Sequence, residues 1–130
     1  MAKKLISILI VDDNDIMRTV LRSIVRGEKY EVVGEARNGN TAVEMAERLK
    51  PDIVCLDVVM PEKSGLEALG EIKAARPETE VVMITGNAHP DTVQEAILNG
   101  AAGFIIKPFN AARVLDALGK VAGRIGQRTT

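Results

Sequence analysis

Tryptophan is absent from this chain, cysteine and histidine each occur once, and only Tyr30, Phe104 and Phe109 are aromatic. A single thiol closes no internal disulfide, and one cysteine with one histidine falls short of a zinc site, so a reducing compartment is expected. Three rings give single-stranded nucleic acid or flat ligands no platform to stack on. The core must be aliphatic. Neither sign of charge is in excess: Lys and Arg total 17 against 18 for Asp and Glu, a net charge of -1, so no long-range field draws the molecule onto nucleic acid or anionic lipid. Long apolar runs are missing too. Lys3 and Lys4 ahead of Leu5 to Val11 begin like an export signal, but Asp12 and Asp13 interrupt it, and nowhere do eighteen apolar residues follow one another. The expectation is a cytoplasmic protein with no direct nucleic-acid contact and no membrane insertion. Linkers and internal repeats are also lacking, and 130 residues suit one domain, expected over 1–130 with a core of about 5–125.

What the chain does contain is an alternation of short apolar runs with longer stretches of helical period, the mark of βαβ units around a parallel sheet. The runs are Leu5 to Val11, Tyr30 to Ala36, Asp52 to Leu56, Glu80 to Ile84 and Ala102 to Ile106. Between the first two, Ile16, Val20 and Ile24 recur every fourth residue beside Met17 and Leu21, with Gly27 placed to end that helix. A second helix is expected from about Asn40 to Lys50, stopping before Pro51 because the residue preceding proline avoids helical geometry. Ser64 with Glu67 forms the reciprocal start signal of a third, followed by Leu66, Leu69 and Ile72. Pro90 suits the first turn of a fourth, with Val93, Ala96 and Ile97 apolar and Gly100 at its end. Asn110 caps a fifth, along which Val114, Leu115, Leu118, Val121, Ala122 and Ile125 draw a stripe. All five prolines fall at element borders. The expected fold is an α/β, flavodoxin-like, doubly wound five-stranded parallel sheet in the order 2-1-3-4-5 with five helices.

Open sheets of this kind bind ligands at the carboxyl ends of their strands. There the first strand runs into Asp12 and Asp13, the third into Asp57, the fourth into Thr85 and Gly86, and the fifth into Lys107. Strands one and three are neighbours in the expected order, so three carboxylates converge where the winding reverses. Like charges that close raise one another's pKa unless a cation neutralises them. A small set of hard oxygens without Cys or His suits Mg²⁺, which keeps several waters that a phosphate can replace. With a metal in place, Asp57 becomes a nucleophile toward a phosphoryl group, Lys107 a point charge and Thr85 a hydroxyl donor, and the product is an aspartyl phosphate. Phosphoryl transfer needs mainly positioning and charge neutralisation, which such a set supplies.

At these residues the sequence resembles the CheY-like receiver domain of two-component response regulators. Leu9 to Asn14 is similar to the acidic first loop of that family, and Asp57-Val58-Val59-Met60-Pro61 with Ser64-Gly65-Leu66 to its phosphoacceptor loop. Thr85-Gly86 and Gly103 to Phe109 extend the resemblance, which covers roughly Leu5 to Ile125. It implies that Asp57 is the phosphorylation site, that Asp13 and Asp57 ligate Mg²⁺ with the Val59 carbonyl, and that Asp12 binds chiefly through a metal-bound water. Thr85 and Phe104 would form a conformational switch that reshapes the surface of helix four, strand five and helix five; Phe104 stands where the family often has tyrosine, so the moving hydroxyl is lost. Implied partners are a histidine kinase or histidine phosphotransfer protein upstream and an effector protein downstream, with a phosphorylation-dependent dimer as a further option. The chain would be a signalling module that catalyses only its own phosphorylation and dephosphorylation.

Each signal has a plainer rival. Asp12-Asp13 reads equally as a helix-capping pair, Thr85-Gly86 as a strand-end turn, Lys107 as a solvated lysine, and Phe104 as core. One phosphate site explains all the strand ends together. A small haloacid-dehalogenase-type aspartyl-phosphate phosphatase is the alternative, but it wants two aspartates one residue apart after its first strand, a spacing that Asp12-Asp13 and Asp57-Val58-Val59 both miss. Cys55, between Val54 and Leu56, reads as an inert core thiol, and His89 as a surface residue near the rim of the site.

Overall fold

The computed structural model describes residues 5–27, 29–87 and 89–128; Lys3, Lys4, Thr129 and Thr130 lie outside the described residues. Among those described, five strands and five helices alternate: β1 (Ile6–Val11), α1 (Asp15–Val25), β2 (Tyr30–Ala36), α2 (Gly39–Leu49), β3 (Ile53–Leu56), α3 (Gly65–Ala75), β4 (Glu80–Thr85), α4 (Pro90–Leu98), β5 (Gly103–Ile106) and α5 (Ala111–Arg128). The strands form one parallel sheet in the order β2-β1-β3-β4-β5, as expected.

Successive strand residues point to opposite faces, and that alternation divides the core in two. Ile8, Ile10, Ile53, Cys55, Val82, Ile84 and Ile105 meet Leu21 and Val25 of α1 and Val114, Leu118 and Val121 of α5 on one face. Leu9, Val11, Val54, Leu56, Val81 and Met83 meet Ala42 and Ala46 of α2, Ala68, Leu69 and Ile72 of α3, and Ala96 of α4 on the other. Fully burying side chains of this size contributes about 1.5 to 3 kcal/mol each, and the sheet has no other reason to be wrapped on both sides. Cys55 is buried among them, which pushes its thiol pKa up to about 12 and leaves it protonated and unreactive.

The helix borders follow local chemistry. Asn14, Asn38 and Asn110 accept from the backbone N–H groups of Met17, Thr41 and Arg113, and Ser64 with Glu67 makes the reciprocal capping pair. Gly100 ends α4 at φ 100, where Gly100 donates to Ile97 and Ala101 to Ala96, closing the turn in the left-handed conformation that glycine adopts freely. One expectation is corrected. Gly27 takes no left-handed turn; α1 stops at Val25 and its cap residue Arg26 is extended, with φ -63 and ψ 129. On α1 the every-fourth series runs largely along the exposed side. Ile16 is 74% exposed and Val20 40%, whereas Leu21 and Val25 are buried with Met17 and Ile24 packed beside them, so the core contact lies one column over.

At the amino ends of the strands, polar stitches close the sheet. The Asp52 carboxylate accepts from the Ser7 N–H at 2.9 Å and the Ser7 hydroxyl at 3.2 Å, while the buried Thr79 hydroxyl donates to the Pro51 carbonyl at 2.9 Å. Lys73 donates to the carbonyls of Pro77 and Thr79.

Gly119 and Gly123 sit inside α5 with nothing near the position a Cβ would take. Replacing either by alanine should stabilise the fold by about 0.5 to 1 kcal/mol, because helical glycine loses more backbone freedom on folding and nothing clashes with the new methyl. Urea unfolding of Gly119→Ala and Gly123→Ala reads this as a higher midpoint at unchanged slope; a lower midpoint in both would contradict it.

Candidate functional site

Register brings the polar residues together. Val11 pairs with Leu56, so the next residues, Asp12 and Asp57, emerge side by side, tied by the Asp57 N–H on the Val11 carbonyl at 3.1 Å. Thr85 pairs with Ile106, and Lys107 follows, its N–H donating to the Thr85 carbonyl at 2.9 Å. From there the Lys107 ammonium donates to Asp12 Oδ2 at 2.7 Å and to Asp57 Oδ2 at 3.3 Å. Asp12, Asp13 and Asp57 each offer a carboxylate oxygen within 4.8 Å of the others. Asp12 and Asp57 are buried, at 1% and 6% exposure, and Asp13 faces solvent.

The plainer rivals fare unevenly. Asn14 caps α1, so neither Asp12 nor Asp13 serves that purpose; Asp12 Oδ1 instead accepts the Asn14 N–H at 2.9 Å, turning the loop. Lys107 is no solvated lysine: its side chain is 20% exposed and engaged twice. Thr85 does take part in a strand-end turn, accepting the Asn87 N–H at 3.2 Å, yet it is also buried beside the acidic cluster. Phe104 stands apart from the cluster, partly buried on β5 against the core face of α2, α3 and α4. Val59 is exposed and its N–H approaches Asp57 Oδ1 at 3.4 Å. His89 is exposed and caps α4, its Nδ1 accepting the Asp91 N–H.

Sequence reasoning did not reach what holds the loops. Gly65, first residue of α3, is packed so closely that a Cβ there would lie 1.9 Å from the Asp57 carbonyl oxygen, and one on Gly39 would lie 2.4 Å from the Lys63 carbonyl oxygen. The loop after Asp57 is thus pressed between the starts of two helices. Glu62 on that loop adopts the left-handed region at φ 69. The motif Pro61 to Gly65 signals a turn, but not these approaches.

Electrostatics define what the pocket lacks. At an effective dielectric near 20, two unit charges about 5 Å apart repel by about 3 kcal/mol, more than one ordinary hydrogen bond returns. Burial raises the Asp57 pKa most; Lys107 opposes this, Asp12 adds to it, and hydrogen bonding to Thr85 and Lys107 lowers it again. Burial of the Lys107 ammonium is outweighed by its two carboxylate partners, so its pKa rises. Three carboxylates with one ammonium leave two negative charges uncompensated, and the donors are all oxygen. That set fits a small hard divalent cation.

Similar proteins are found both in sequence and in fold. The sequence profile of the response regulator receiver domain matches residues 8–119. A chemotaxis protein CheY from Listeria monocytogenes is 48% identical over 118 residues, covering 91% of this chain and 99% of that protein. The receiver domain of AraT, a response regulator from Geobacillus stearothermophilus, superimposes with a TM-score of 0.91 at 29% identity, covering 98% and 100% of the two chains. CheY in the CheX-CheY-BeF3-Mg complex from Borrelia burgdorferi gives 0.86 at 30% identity over 89% and 88%.

Because the native state holds the Asp57 proton more tightly than the unfolded chain does, ionising this carboxyl weakens the fold as the pH rises through its raised pKa. Asp57→Asn should therefore stabilise the metal-free protein at neutral pH, since the amide carries no charge into the buried site. In urea titrations with chelator, the advantage should open above about pH 4, where an ordinary carboxylate ionises, and persist at neutrality. A less stable variant at pH 7 would contradict this account.

Proposed function

This chain belongs to the response regulator receiver domain family, and from that premise we propose that Asp57 accepts the phosphoryl group, with Asp12, Asp13, Lys107 and Thr85 completing the site. As a member of that family it is a phosphoacceptor signalling module; its relatives offer no support for a haloacid-dehalogenase-type phosphatase. The observation that carries the assignment is the Lys107 ammonium bridging Asp12 and Asp57 beside Asp13.

In this reading Asp13, Asp57 and the Val59 carbonyl hold Mg²⁺, which supplies charge neutralisation for an incoming phosphoryl group. Asp12, whose oxygens accept from Asn14 and from Lys107, would add its charge to the site through a water, as the family resemblance implies. An Asp57 oxygen attacks phosphorus in line as the bond to the donor's leaving atom breaks, forming an acyl phosphate. Lys107 keeps its contact with Asp12 and turns its second N–H toward a phosphoryl oxygen, and the Thr85 hydroxyl donates to another. Fixed charges and donors of this kind lower the barrier without a dedicated general base. The chain thereby promotes its own phosphorylation, and its dephosphorylation by the reverse geometry with water.

Donor and receiver are proteins in this scheme: a histidine kinase or histidine phosphotransfer protein supplies the group, and an effector reads the result. Displacement of Thr85 toward the phosphoryl group frees space for Phe104, and the surface of α4, β5 and α5 is the proposed output face, for an effector or for a second copy of the chain. Exposed Ile97, Leu98, Ile106 and Leu115 on those elements support it. One receiver unit over 1–130, with a core of 5–125, is part of the same proposal. So is a cytoplasmic location; among the described residues no helix is long and apolar enough to cross a membrane.

Incubation with Mg²⁺ and acetyl phosphate should add one hydroxylamine-labile phosphoryl group by mass spectrometry, abolished in Asp57→Asn and reduced at least about tenfold in rate in Asp13→Ala, the scale on which a lost charge contact acts. Rapid multiple-turnover hydrolysis without an accumulating adduct would favour the phosphatase instead. Beryllofluoride with Mg²⁺ should shift the amide resonances of Thr85 and Phe104 while leaving Ser7 and Thr79 unmoved; stationary Thr85 and Phe104 signals would refute the switch.

A further inference from the structure

The carboxylates of the site are placed by a loop that something must hold, and α1 provides it. Arg18 lies one turn inside α1 with its side chain only 11% exposed. Its guanidinium contacts three partners. One nitrogen donates to the Asp12 backbone carbonyl at 2.6 Å, Nε donates to Glu35 Oε1 of β2 at 3.3 Å, and the remaining nitrogen meets the Asp15 carboxylate. On the other side, the Asp12 N–H donates to the Ala36 carbonyl at 3.1 Å. Asp12 is therefore gripped at both its amide and its carbonyl.

The Asp12 carbonyl belongs to the peptide unit that also carries the Asp13 nitrogen, and that unit is planar and rigid. Rotating it swings the Asp13 Cα–Cβ bond. Asp12 is enclosed by the protein and fixed by Lys107, but Asp13 is exposed, so its direction depends on the peptide behind it. We infer that Arg18, held in place by Glu35, is a positioning residue that fixes the Asp12–Asp13 peptide and so aims the Asp13 carboxylate at the divalent cation. The inference rests on the Mg²⁺ reading of the site.

Arg18 also links α1 to β2 through Glu35, and that linkage alone would be merely structural. Arg22 separates the two roles. It pairs with the other oxygen of the same Glu35, one turn further along α1, without a contact to Asp12. A staple between helix and sheet would be weakened by losing either arginine; aiming of Asp13 would be lost only with Arg18.

The test is calorimetric titration of the metal-free full chain with MgCl₂, paired with urea unfolding in chelator. Groups that orient metal ligands typically account for about 10- to 100-fold in affinity, so Arg18→Ala should raise the Mg²⁺ Kd about tenfold. Arg18→Lys, which keeps the charge but not the planar fork, should fall between, and it also carries the test should Arg18→Ala not fold. Arg22→Ala should bind within about twofold of wild type even where its unfolding midpoint falls, since a larger loss of affinity belongs to groups that orient the ligands themselves. Equal affinities in wild type and both Arg18 variants would overturn the inference, as would an equal loss in Arg22→Ala. Wild-type protein that binds no Mg²⁺, or binds it as well after Asp13→Ala, would bring down the Mg²⁺ reading itself and the inference with it.

Discussion

Lys107 holds two carboxylates that would otherwise repel each other in a pocket largely closed to water. Much of the architecture answers to that contact. Parallel pairing of β1 with β3 sets Asp12 beside Asp57, and pairing of β4 with β5 brings the lysine to the same end of the sheet. Neutralisation is incomplete, and the residual negative charge is what a bound cation would balance. Burial raises the Asp57 pKa, Lys107 holds it down and Asp12 adds to it, so ionisation of this carboxyl is coupled to the charges of the whole cluster.

The fold was legible because local signals agreed. Proline positions, asparagine and serine caps and apolar runs marked the same borders, and the alternation of strands with helices restricts connection and handedness. On α1 the pattern left the covered side open. Ile16, Met17, Val20, Leu21, Ile24 and Val25 form two adjacent apolar columns, and only the neighbouring sheet and α5 decide which is covered. Periodicity identifies a helix; it does not choose between columns when both are greasy. The glycine after α1 misled for a related reason, since Arg26 ends the helix in an extended conformation that needs no special residue.

At the site, the side chains proposed to carry the chemistry were readable from their places at strand ends, and Asp12, Asp13, Asp57, Thr85 and Lys107 do come together. Residues that act on backbone were not. Arg18 touches a carbonyl, which any amino acid carries, and Gly39 and Gly65 matter through atoms they do not have. Contacts of that sort leave no side-chain pair for a motif to register. Phe104 is a third kind: its position on β5 was legible from pattern, whereas the role proposed for it would depend on a second conformation.

The hydrogen bonds of Ser7 with Asp52 and of Thr79 with Pro51 lie at the pole opposite the carboxylates. With that base fastened, the strands have an anchored end and a working end, like the tines of a fork set in a handle. Whatever a bound ion or an added phosphate does to the loops must be taken up above the handle, in the helices that flank the free tips. The change of outward shape proposed above would then leave the foundation of the sheet in place.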